Sequence, residues 1–264
     1  MRFAYLLIIL AACGDNLHAS STSSDGSVDS PSADAQPLAD ALADICTDTV
    51  TVIQPHNPGS DPAAYPALGW WSDDTRTNGT VAVDKLLGVP AGFGCTSAHF
   101  TTGDATGSPL QDKAQLISFS QTGVPLSTIQ TIGYWAYRSS ASTGGPATHL
   151  ALNVTVTGSS VLPAGFATLV YEPYNQSGGG AGITNDTWQH WDATATTPGD
   201  GVWWTTKIAN PAPGSQANPQ PWATFQVLYS NAAVLGFGFN LGSNNPNMIV
   251  AGDGLVFGTT TTDF

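Results

Sequence analysis

Leu150, Leu152, Val154 and Val156 alternate with Ala151, Asn153, Thr155 and Thr157, the two-residue period of a strand with one buried face. The same period recurs in Lys113–Ser120, where Gln115, Ile117 and Phe119 share a side, and in Val234–Leu241, where Leu235, Phe237, Phe239 and Leu241 do. Gly236 and Gly238 fall on the other side of that last segment. A strand interior without side chains predicts that another backbone or a ligand comes close there. Ala167–Tyr174 and Met248–Gly258 read as further strands, with Ser142-Thr143-Gly144-Gly145 and Ser177–Gly180 as turns. One segment departs from the period. Pro221 suits a first helical position, Trp222, Phe225, Leu228 and Tyr229 follow at helical spacing, and Ser230-Asn231 can end the run. The pattern predicts an all-β fold: an antiparallel two-sheet β-sandwich of jelly-roll type with one short helix. No internal repeat is visible.

The first residues follow a different logic. Arg2 is a short positive start, and Phe3–Leu10 is an apolar run too short to span a bilayer. Leu10-Ala11-Ala12-Cys13 resembles the lipobox of bacterial lipoprotein signal peptides. The resemblance implies that 1–12 is a signal peptide, that the chain is cut before Cys13, and that the Cys13 thiol carries lipid. A single acyl chain holds a protein only marginally, at about 0.8 kcal/mol per buried CH2, so stable attachment takes more than one. Gly14, rather than aspartate, follows the cysteine, which points to the outer membrane or cell surface instead of inner-membrane retention.

From 13 to 45 the chain is Ser, Asp, Ala and Pro with little to bury. Asp15, Asp25, Asp29, Asp34, Asp40 and Asp44 meet no Lys or Arg in this stretch. Such a segment cannot recover an ordering entropy of about 1–2 kcal/mol per residue, so a disordered tether is predicted. Residues 46–264 then form the β-domain.

Composition narrows the partners. Charged residues are 9 % of the chain, against a usual ~25 %. The formal net charge is −13 and no basic stripe exists, which argues against nucleic acid; the anchor supplies the membrane contact. Oligomeric state is not specified. With Cys13 lipidated, Cys46 and Cys95 remain, an even pair for an oxidising compartment. One disulfide is predicted, against two buried free thiols; closing a loop of about fifty residues, it contributes roughly 4 kcal/mol.

From about Gly94 onward the chain resembles an uncharacterised secreted β-sandwich domain found in bacterial surface and extracellular proteins. The segments that carry the likeness are Asp112-Lys113-Ala114-Gln115-Leu116, Gly133-Tyr134-Trp135-Ala136-Tyr137-Arg138 and Leu169-Val170-Tyr171-Glu172-Pro173-Tyr174. Trp188-Gln189-His190-Trp191-Asp192, Trp203-Trp204 and Asp253 follow in order. The resemblance implies a fold and an extracytoplasmic location, and no activity.

Catalytic constellations are missing from the sequence. No Ser sits in a Gly-x-Ser-x-Gly elbow, and His18, His56, His99, His149 and His190 lack a second ligand at metal spacing. Glu172 is the sole glutamate, whereas a glycosidase needs two facing carboxylates; Asp192 or Asp253 could pair with it, but nothing local supports either. No catalytic residue, metal site or cofactor is therefore assigned. A structural calcium at Asp73-Asp74 or Gly252-Asp253-Gly254 is the one open exception, without EF-hand spacing. Arg138 and Glu172, both on strands, are read as a bidentate structural pair, or as two groups that hold glycan hydroxyls.

The eight tryptophans give the strongest ligand signal. Adjacent strand residues face opposite ways, so one of Trp203 and Trp204 should enter the core and one emerge, and likewise for Trp70 and Trp71. Trp188, Gln189, Trp191, Asp192, Trp203 and Trp204 are the candidate ligand-binding residues, on a predicted hairpin turning at Thr196–Asp200. An exposed indole there could stack on a sugar ring. Three functions follow in order: a surface glycan-binding domain, a structural or protein-interaction lipoprotein, and a polysaccharide-active enzyme.

Overall fold

The computed structural model describes residues 53–54, 69–72, 74–76, 78–104, 112–145, 148–158, 165–176, 179–242 and 245–264. Residues 1–12, Cys13, the tether 13–45, Cys46, His18, His56 and Asp73 lie outside them.

Among the described residues, fourteen strands and one α-helix build two sheets. The eight-stranded sheet runs β1 (Ile53–Gln54), β2 (Trp70–Trp71), β5 (Ala114–Ser118), β12 (Ala233–Leu241), β7 (Ala151–Thr157), β8 (Phe166–Tyr171), β10 (Val202–Thr205) and β11 (Gln220–Pro221). The six-stranded sheet runs β3 (Thr80–Asp84), β4 (Ser97–Thr101), β13 (Ile249–Phe257), β6 (Ile132–Arg138) and β9 (Gln189–Asp192), with β14 (Thr260–Thr262) on β13. Every pairing is antiparallel except β1 with β2. The chain crosses between the sheets at β2–β3, β4–β5, β5–β6, β6–β7, β8–β9, β9–β10 and β12–β13, and from β4 onward this is the connectivity of a jelly-roll sandwich.

The core forms where the alternation said it would on β7: Leu150, Leu152, Val154 and Val156 are all fully buried, each contributing roughly 1.5–3 kcal/mol. Tyr134 reaches from β6 across the sandwich, donating to the Leu150 carbonyl at 2.7 Å and lying 5.5 Å from the Phe239 ring. Phe237 stacks on Phe257 of the opposite sheet at 4.2 Å. Helix α1 (Trp222–Leu228) closes one end, with Trp222, Phe225 and the following Tyr229 inward and the Trp222 indole donating to the Ile129 carbonyl at 2.8 Å.

Several expectations need correction. On β5 the main core receives Ala114 and Leu116; Ile117 and Phe119 point the other way and meet Trp71 in a separate small cluster. That cluster buries Trp71, so neither Trp70 nor Trp71 emerges. It also explains Gly236, where a Cβ would stand 3.0 Å from Ile117 and 3.1 Å from Phe119; at Gly238 the β5 backbone comes close, as expected, and a Cβ would lie 2.0 Å from the Leu116 carbonyl oxygen. On β12 the register shifts between Val234 and Gly236, so Val234 and Phe237 both enter the core while Leu235 is left half-buried. Leu228 is 41 % exposed, because it lies off the inward stripe of Trp222, Phe225 and Tyr229.

The Arg138–Glu172 pair does not form. Arg138 follows Tyr134 and Ala136 inward from the six-stranded sheet, whereas Glu172 follows the inward Tyr171 and so faces out of the eight-stranded one. The buried guanidinium instead donates to the carbonyls of Thr148, Gly144 and Gly145 and to the Asn185 side chain. Cys95 is disulfide-bonded, and the partner expected for it, Cys46, lies outside the described residues.

Candidate ligand-binding site

The predicted hairpin is absent. β9 pairs with β6 at the edge of the six-stranded sheet, and β10 pairs with β8 and β11 in the other sheet. The segment between them crosses the edge of the sandwich. Trp203 secures that crossing: its indole donates to the Ala193 carbonyl at 2.6 Å, and its ring meets Trp222 at 4.8 Å and Tyr171 at 5.4 Å. Gly201 is needed in the same crossing, since it holds φ +59° and a Cβ there would lie 2.3 Å from the Ala195 carbonyl. Local pattern places both strands correctly but says nothing of which sheet each joins. The four indoles are therefore divided between the two sheets.

On the six-stranded side, alternation along β9 turns Trp191 inward against the core and His190 and Asp192 outward. His190 lies against Trp135 of β6 at 5.2 Å, and Trp188 against Tyr137 at 5.6 Å. A strip of rings thus covers the outer face of this edge. Gln189 is not available to a ligand, because its amide accepts from the Thr184 N–H and donates to the Gly182 carbonyl, both at 2.7 Å. Where β9 ends, the two sheets part and leave a cleft of ≈ 230 Å³ lined by Tyr171, Gln176, His190, Trp191, Asp192 and Asp200. Asp192 accepts from the Thr194 N–H at 2.9 Å and hydroxyl at 3.0 Å, which fixes its carboxylate at the rim. Burial pushes the Tyr171 phenol up, and the fields of Asp192 and Asp200 add to it, so both carboxylates act on the same part of the cleft. The indole N–H groups of Trp188 and Trp191 are buried without a hydrogen-bond partner among the described residues, each at a cost of about 1–3 kcal/mol.

On the eight-stranded side, Trp204 emerges half-buried, as the alternation required, while Trp203 is fully buried. The Trp204 indole donates to Glu172 at 2.7 Å, and Asn175 donates to the same carboxylate oxygen at 3.3 Å. Burial pushes the Glu172 carboxyl up, and these donors together with the Tyr174 hydroxyl pull it back. A second cleft of ≈ 270 Å³ opens beside this indole, lined by Trp204, Thr205, Thr206, Ile208, Ala209, Asn210 and Gln216. No local pattern signals Asn210 and Gln216, which enter through an irregular excursion.

The remaining candidates are placed elsewhere. Asp74 is held by Arg76 and Lys113. Asp253 is fully buried and accepts the N–H groups of Gly254 at 2.8 Å and Phe264 at 3.0 Å. His99 faces Asp84 at 3.2 Å, and buried His149 accepts the Leu150 N–H at 2.8 Å. Among the described residues no group of three or more His, Cys, Asp or Glu could hold a metal ion. None of their helices is long and apolar enough to cross a membrane. Compared with protein-family models and with curated proteins, the chain matches none.

Proposed function

We propose that this chain is a lipid-anchored extracytoplasmic lipoprotein whose β-sandwich binds glycan at the β9 edge. The observation that carries the reading is the outer strip of Trp188, Tyr137, His190 and Trp135 running into a cleft rimmed by Asp192 and Asp200. Ring faces cover the C–H side of a sugar, and fixed carboxylates accept its hydroxyls. The lipobox at Cys13 and the tether 13–45 supply the display, holding the domain off the outer membrane or cell surface.

Two measurements test it. On a glycan array followed by titration, Trp188→Ala should weaken binding by roughly tenfold or more while the melting temperature moves by only a few degrees. A Trp188→Ala protein that binds every glycan as the parent does would refute the site. Release of reducing ends during the titration would instead make the cleft hydrolytic, with Asp192 and Asp200 as the residues to replace. For the anchor, Cys13→Ser should abolish labelled-palmitate incorporation and release the protein from the membrane fraction; unchanged fractionation would overturn the anchoring.

A further inference from the structure

We infer that the Trp204 cleft is a second, separate carbohydrate site, shaped for a neutral pyranose and lying on the sheet opposite the β9 site. The inference shares with the proposed function only the class of ligand; its residues and its face are different.

The walls define the ligand. Trp204 supplies a half-buried indole, and Ile208 and Ala209 extend the apolar lining. Thr206, Asn210 and Gln216 complete it, so the cleft holds hydroxyl and amide groups and no charged side chain among the described residues. Asn210 is fixed by accepting the Ala217 N–H at 3.0 Å, which leaves its amide N–H groups as donors. Gln216 donates to the Tyr174 hydroxyl at 3.5 Å, which leaves its carbonyl as an acceptor. An apolar plane beside alternating donors and acceptors matches a sugar ring, whose faces present C–H groups and whose rim presents hydroxyls. A charged ligand would meet no counter-charge among the residues that line the cleft, and the Glu172 carboxylate beside it is engaged by Trp204 and Asn175.

That carboxylate has its own part. Glu172 accepts the Trp204 N–H at 2.7 Å and is itself held by Asn175, while Tyr174 links it to Gln216. The stacking plane is therefore oriented before a ligand arrives, which lowers the ordering cost of binding. Glu172 is a positioning residue for Trp204 and does not itself touch the sugar.

The test is calorimetric titration of the full chain in detergent with neutral gluco-, manno-, galacto- and xylo-oligosaccharides. The parent should bind with two sites per chain. Trp204→Ala should lose one site or weaken it by roughly tenfold or more, and Trp204→Phe should retain it in part. Glu172→Gln keeps an acceptor for the indole and should bind nearly as the parent does, whereas Glu172→Ala should bind more weakly. The double variant Asn210→Ala and Gln216→Ala changes only exposed side chains, so it reports on the cleft even if Trp204→Ala fails to fold. Full two-site binding by that double variant and by folded Trp204→Ala overturns the inference. If Trp188→Ala loses all binding and Trp204→Ala none, this site falls and the β9 site stands. If the reverse holds, the β9 site falls and this one stands. A parent that binds none of the sugars removes both.

Discussion

Trp203→Ala should destabilise the domain by about 3–5 kcal/mol, the cost of deleting a fully buried large ring. Two further effects push toward the upper end. Trp203 is 0 % exposed and sits between Tyr171 and Trp222, so the neighbouring rings lose contacts that nothing else replaces. Its indole also satisfies the Ala193 carbonyl, at the point where the chain leaves the six-stranded sheet. An acceptor stranded there costs a further ~1–3 kcal/mol. Net stabilities of domains are only about 5–15 kcal/mol, so the variant should be close to unfolded at body temperature. Urea denaturation measures the loss directly. Trp203→Phe restores most of the ring without the N–H and should recover over half of it. A loss below about 1 kcal/mol for the alanine variant would mean that the crossing is held by something other than this side chain.

The second large effect is on pH dependence. Burial pushes the Asp253 carboxyl up to about 7; the N–H groups of Gly254 and Phe264 pull against that, and Asp263 adds to it. The native state therefore holds this proton more tightly than the unfolded chain, in which aspartate titrates near ~3.9. The contribution of Asp253 to stability is greatest at low pH, declines as the pH rises from about 4 to about 7, and stays low above that. His149 acts in the other direction. Burial, with Arg138 nearby, takes its imidazole down to about 3, so its contribution is lost as the pH falls below the usual histidine range of ~6.5. Because the two slopes oppose each other between those values, the informative quantity is a difference. Asp253→Asn keeps an oxygen for the two N–H groups and removes the ionisable proton. Relative to the parent it should gain stability steadily from pH 4 to 7 and no further above it, read by thermal melts across that range. A difference that does not change with pH would place the Asp253 carboxyl outside that titration.

Much of the sandwich was legible in the chain. The β7 alternation fixed its buried face, and the Trp203-Trp204 pair separated one core ring from one that emerges. Both follow from the geometry of a strand alone. What was not legible depends on partners. The period of β5 is the same whichever face is covered, and only the presence of Trp71 made a second buried side out of Ile117 and Phe119. The bulge in β12 inserts one residue without changing the composition around it. Arg138 and Glu172 look complementary in sequence, but charge does not reveal which sheet a strand enters. The candidate site suffered most from this. Its residues were gathered into one hairpin, whereas β9 and β10 join different sheets, because a turn signal cannot distinguish a hairpin from a passage between sheets.

That passage also divides the chain by how freely it can change over time. At Gly201 any side chain would strike the Ala195 backbone, and at Trp203 any smaller one would open the core. Substitution should be purged there. The excursion from Thr206 to Asn218 is mostly solvent-facing and bonded largely to itself. A lineage could therefore alter which molecules Asn210 and Gln216 select while leaving the fold untouched.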